Sequence, residues 1–80
     1  MKFRIDIRRK EGLSDPEGMT TQRALRDLGY STVTSTHFGR TIYLEMEGED
    51  AGVATADVEA MCRQLLANPV IEDFDIEVVG

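Results

Sequence analysis

The 80-residue chain carries 9 basic and 15 acidic side chains, a formal net charge of −6, with 41% hydrophobic residues, one cysteine and no tryptophan. A chain this short buries only about 60–65% of the surface its unfolded form exposes, so it has room for one small core and gains from oligomerisation. No apolar stretch approaches the roughly 20 residues of a membrane span, and the alternating opening MKFRIDIRRK lacks the unbroken apolar region of a signal peptide.

These features predict one domain spanning residues 1–80. With Cys62 as its only cysteine, no disulfide framework is expected, and the expected location is the cytoplasm. Charge is distributed unevenly: residues 1–40 hold eight basic and five acidic side chains, residues 41–80 one and ten. A net-acidic chain whose basic residues alternate with apolar ones is a poor general nucleic-acid binder. Neither nucleic acid nor a membrane is expected as a partner.

The first element is a strand. KFRIDIRR puts Phe3, Ile5 and Ile7 on one side and Arg4, Asp6 and Arg8 on the other, the period of two of a half-buried strand. A helix begins near Asp15-Pro16, with Asp15 as N-cap and proline at the first helical position, where its missing N–H costs nothing. Ser14 with Glu17 offers a competing capping box one residue earlier. Thr21, Ala24, Leu25 and Leu28 form the stripe expected to face a sheet, and Gly29 supplies a left-handed stop.

The stretch STVTSTHFGRTIYLEMEGED has strand composition throughout. Gly39-Arg40 fits a two-residue type II′ turn, which predicts a hairpin of Thr32–Phe38 with Thr41–Glu47. One long strand with a bulge at Gly39 is the alternative. After the polar GEDAG loop, Val58, Met61, Cys62, Leu65 and Leu66 fall at helical spacing from about Thr55. Pro69 ends that helix, because proline disfavours helical backbone at Asn68. Phe74, Ile76 and Val78 alternate with Asp75 and Glu77 in a last strand. The predicted order is β-α-β-β-α-β, an α+β domain of ferredoxin-like type with both helices on one face of a mainly antiparallel sheet.

The residues supply no catalytic signature. One histidine and one cysteine 25 positions apart are no metal-ligand set. Cys62 lies on the apolar stripe of the second helix and reads as a core residue. His37 has no nameable nucleophile or orienting group beside it. Neither a Walker-type loop nor G-x-G-x-x-G is present. Glu72 and Asp73 are neighbours in an extended segment, so their side chains diverge rather than converge on one atom. The expectation is a subunit or binding module with no catalytic residues and no cofactor or metal of its own.

Several blocks resemble the PurS family, the small subunit of phosphoribosylformylglycinamidine synthase. They are DPEG (Asp15–Gly18), ALRDLGY (Ala24–Tyr30), FGR (Phe38–Arg40) and, most specifically, MCRQLLANPVIEDFDIEV (Met61–Val78). The resemblance implies a role in the fourth step of de novo purine synthesis. That step turns formylglycinamide ribonucleotide, glutamine and ATP into formylglycinamidine ribonucleotide, ADP, phosphate and glutamate. It further implies a subunit without an active site, which self-associates and holds a glutaminase subunit and a large synthetase subunit together; ATP and Mg would be used by the synthetase. Asp15, Gly18, Gly39, Arg40, Asn68, Glu72 and Asp73 are the candidate interface residues. A free-standing ferredoxin-like module that binds a small ligand is the rival reading.

Overall fold

The computed structural model describes residues 1–80. The elements run β1 (Lys2–Arg9), α1 (Pro16–Asp27), β2 (Gly39–Glu45), α2 (Ala51–Met61), a π-helical turn (Cys62–Leu66) and β3 (Glu72–Val78). The three strands form one antiparallel sheet in the order β2-β1-β3.

Alternation in β1 does what its pattern dictates. Phe3, Ile5 and Ile7 are buried, and they meet β2 and β3 in rows: Leu44, Phe3 and Val78; then Ile42, Ile5 and Ile76. On the opposite face Arg4 pairs with Glu77, and Arg8 Nη1 donates to Asp75 Oδ2 at 2.7 Å. Such exposed pairs add little to stability. Helix α2 closes the apolar face with Ala54, Val58 and Cys62, successive i, i+4 positions that share one side of a helix. Its N-cap is Asp50, whose Oδ1 accepts from Val53 N at 3.1 Å, so the helix starts four residues before the expected Thr55. The acid in GEDAG caps a helix rather than decorating a loop.

The end of α2 departs from the expected stripe. Ala67 N donates to Cys62 O at 2.9 Å, an i→i+5 bond that inserts an extra residue into the last turn. The widened turn carries Ala67 into the core and leaves Leu65 83% exposed.

The α+β class and antiparallel sheet stand, with two departures in the first half. Gly39 opens β2 without positive φ, which only Gly12, Gly29 and Gly48 adopt. No type II′ turn forms, the expected hairpin is absent, and Thr32–Phe38 is not a sheet strand. The glycine serves a different purpose: a Cβ there would stand 2.6 Å from Ile7 O, so its absence lets β2 lie flush on β1. Without a turn to reverse it, the chain before Gly39 points away from the sheet.

Helix α1 follows that segment outward. Its start is as the sequence indicates, with Asp15 as N-cap and Pro16 in the first turn, and Gly29 beyond its end takes φ 106°. Yet none of its residues joins the core, Gly18 alone is buried, and Leu28 is 74% exposed. The returning segment runs beside it, with Gln22 Nε2 donating to Thr34 O and Arg26 Nη2 to Ser31 O, both at 3.1 Å. The pair makes an arm. It stretches the molecule to 50 × 26 × 14 Å with a radius of gyration of 16.2 Å, where a compact chain of this length has about 12 Å.

Candidate interaction surface

Two polar constructions flank the place where the arm meets the sheet. The first is the Asn68–Asp73 corner. Ala67 is extended, and Asn68 then turns the chain: its Oδ1 accepts from Val70 N at 3.1 Å and its carbonyl from Ile71 N at 3.1 Å and Glu72 N at 2.8 Å. Asparagine suits this position because its side chain mimics a backbone acceptor. Glu72 locks the corner from the far side. Its Oε1 accepts from Asn68 N at 2.8 Å, and Arg40 approaches it with both terminal nitrogens, at 2.6 and 3.1 Å. Arg40 Nη2 also donates to Leu66 O at 2.7 Å, satisfying a carbonyl at the helix end. The Arg40 guanidinium, followed by the Asn68 N–H, holds the Glu72 carboxyl below the usual carboxylate range, and Glu72 in turn raises Arg40.

The second construction is Asp15. Its Oδ1 accepts from Gly18 N at 3.0 Å and its Oδ2 from Phe38 N at 2.8 Å. The Phe38 N–H, then that of Gly18, lowers the Asp15 pKa. Between the two constructions lies an open cleft of about 450 Å³, whose lining includes Asp15, Gly39, Arg40, Glu72, Arg8 and Arg9.

The structure therefore gathers four of the seven candidate residues, Asp15, Gly39, Arg40 and Glu72, around one cleft. Gly18 sits against Asp15, and Asn68 is tied in through Glu72. Asp73 stands apart: it is exposed, opposite Arg8 in the sheet register, and lines a neighbouring cleft with Lys10 and His37. The side chain of Glu72 is only 12% exposed and is engaged by its own chain. Two acids that look equivalent in sequence thus diverge, Glu72 bracing the corner and Asp73 facing solvent.

Chemically, four of the charged groups of the main cleft, Arg8, Asp15, Arg40 and Glu72, already have partners within the chain, while Arg9 and Glu17 make no ion pair. Arg40 answers Glu72, Arg8 answers Asp75, and Asp15 answers two backbone amides. Cys62 is fully buried, and burial pushes its thiol pKa up, away from the reactive thiolate. No three histidine, cysteine, aspartate or glutamate side chains converge to hold a metal ion. Available to a partner are the arm, with Met19, Leu28 and Tyr30 exposed along it, and the outer edges of β3 and of β2, where Ile42 and Leu44 are half-buried. Periodicity alone missed part of this surface, because Leu28, Ile42 and Leu44 fit a stripe or strand that should have been covered, while Met19 and Tyr30 lie on no expected stripe. Leu65 and Val70, also well exposed, add an apolar corner.

Comparison with known proteins places this geometry. Residues 2–80 match the family model described as PurS: Phosphoribosylformylglycinamidine (FGAM) synthase. The PurS subunit of Methanocaldococcus jannaschii is 44% identical over 77 residues, covering 96% of this chain and 93% of that one. The Bacillus subtilis PurS subunit is 36% identical over 77 residues, covering 96% and 90%. The crystal structure of the M. jannaschii protein superposes with a TM-score of 0.84 at 42% identity, covering 95% of this chain and 92% of that one. A chain in the structure of PurLQS from Thermotoga maritima reaches 0.87 at 35% identity, covering 98% and 95%. The resemblance first visible in LLANPVIEDF extends through the whole fold, and the chain belongs to the PurS family of phosphoribosylformylglycinamidine synthase subunits.

Proposed function

We propose that the chain is a non-catalytic subunit of phosphoribosylformylglycinamidine synthase, in which it holds a glutaminase and an ATP-dependent synthetase subunit together. Its relative in PurLQS supports this placement. The observation that carries the structural part is the arm, a helix and an extended segment projecting from the sheet with no core of their own. A protein that buries its apolar residues in one body but extends others into solvent is built to meet another surface.

Part of that surface is a second copy. The body has an unpaired β2 edge beside half-buried Ile42 and Leu44, while the arm has an unpaired extended segment and an uncovered helix. An open strand edge is a template for pairing, and exchange of like elements between protomers is a low-cost route to a dimer. Each protomer then supplies what the other lacks. Holding two catalytic subunits in register serves ammonia transfer, because ammonia released into neutral water is protonated and loses its nucleophilicity. A closed assembly excludes that water. ATP and Mg belong, on this reading, to the synthetase subunit, and the complex works in the cytoplasm. No helix of the chain is long and apolar enough to cross a membrane.

Reconstitution tests the proposal. Glutamine-dependent synthesis of formylglycinamidine ribonucleotide should require all three components, with no turnover by this chain alone. Sedimentation of the isolated chain at micromolar concentration should give at least twice its 8.9 kDa mass. Full activity of the two larger subunits without it refutes the assembly role; a monomer refutes self-association.

A further inference from the structure

Two legs connect the arm to the body: Lys10–Ser14 leading out to α1, and Phe38-Gly39 leading back to β2. A projecting pair of this kind swings unless its legs are tied at the root. Asp15 ties them. Oδ1 takes the Gly18 N–H of the outgoing helix, and Oδ2 takes the Phe38 N–H of the returning leg, 23 positions away. Capping a helix needs only the first of these bonds; the second is surplus to capping.

Two glycines complete the joint. A Cβ on Gly18 would collide with Thr36 O and stand 2.8 Å from Asp15 Oδ2, so helix and returning segment touch backbone to backbone only because glycine is there. At Gly39 the return leg meets β1 with Ile7 O in the same close relation. The residue at position 15 is 6% exposed, and both N–H donors favour its ionised form.

We propose that Asp15 is a positioning residue, a clasp that sets the direction of the arm and thereby governs docking onto a second copy of the chain. The proposal rests on the self-association reading above, and its test separates the two. Asn is as good an N-cap as Asp, but its amide group has one acceptor oxygen, so Asp15→Asn keeps the α1 cap and gives up the bond to Phe38. A residue that only caps makes Asp15→Asn equivalent to the wild type. A clasp does not.

Residue-resolved amide exchange and sedimentation equilibrium are measured on the full chain for the wild type, Asp15→Asn and Gly18→Ala. In Asp15→Asn the Phe38 amide should exchange roughly ten- to a hundredfold faster, the range expected for a lost hydrogen bond to a charged group. Amides of β1 and α2 should keep their protection, and the association constant should fall at least about tenfold. Gly18→Ala should loosen the same joint, although alanine by itself favours helix. Wild-type exchange at Phe38 in Asp15→Asn overturns the clasp. Fast exchange there with wild-type association overturns its positioning role. A monomeric wild type overturns self-association, and with it the docking role, while a wild-type Phe38 amide that exchanges freely refutes the clasp alone.

Discussion

Removing the Glu72 carboxylate should destabilise the protein through the corner rather than through any lost chemistry. Three hydrogen bonds converge on it, one from Asn68 N and two from Arg40. Bonds to a charged group contribute about 1.5–3 kcal/mol each where buried. Arg40 is 48% exposed, so solvent screens its share to about 1 kcal/mol or less. Glu72→Gln, which keeps an acceptor for Asn68, should cost about 1 kcal/mol, and Glu72→Ala about 2–3 kcal/mol. Against a total of about 4–12 kcal/mol for a chain of this length, the alanine variant is a substantial loss. It should lower Tm by roughly 10–20 °C.

The assay is a double-mutant cycle of Arg40→Ala and Glu72→Gln, followed by urea unfolding at fixed protein concentration, since self-association makes stability concentration-dependent. The expected coupling is about 1 kcal/mol at neutral pH. The folded-state pKa of Glu72 is depressed, so this contribution is fully present above the unfolded carboxylate value of about 4.3. It is lost as the pH falls from there through the lower folded value. Additivity of the two substitutions within about 0.3–0.5 kcal/mol at neutral pH would refute the brace.

Cys62→Ala should cost about 1–2 kcal/mol in urea unfolding and leave reconstituted synthase activity near normal, because the side chain packs against the sheet. The native thiol should react with a disulfide reagent only as fast as the protein opens, since burial raises its pKa; rapid labelling of the native protein contradicts this packing. Ile5→Ala, in the central strand with Ile42 and Ile76 on either side, should cost about 2–5 kcal/mol and shift the urea midpoint strongly. A midpoint unchanged from the wild type would place the core elsewhere.

Much of this protein was legible in one dimension because it is decided locally. Alternation in KFRIDIRR and FDIEVV defines which face of β1 and β3 is buried, since a strand has no other way to place successive side chains. Asp15-Pro16 starts α1, Gly29 follows its end, and Val58 with Cys62 faces the core. Asp15, Gly39, Arg40 and Glu72 stood in the sequence as separate candidate interface residues, and only the fold gathers them around one cleft.

What tertiary structure decided lies where a local signal has two consistent outcomes. Gly39-Arg40 is compatible with a turn, with a bulge in one long strand, or with the start of a strand laid close on its neighbour, and the pairing with β1 beside Ile7 O selects the last. That choice sends Thr32–Phe38 outward and takes α1 with it, so the stripe of Leu25 and Leu28 has no sheet to cover. Likewise, helical spacing through Leu65 assumes 3.6 residues per turn, and the bond from Ala67 to Cys62 breaks that period. Glu72 and Asp73 carry the same charge in adjacent positions, yet Arg40, 32 residues away in sequence, reaches only the first. Periodicity tells which side of an element is apolar; it does not tell which chain will cover it.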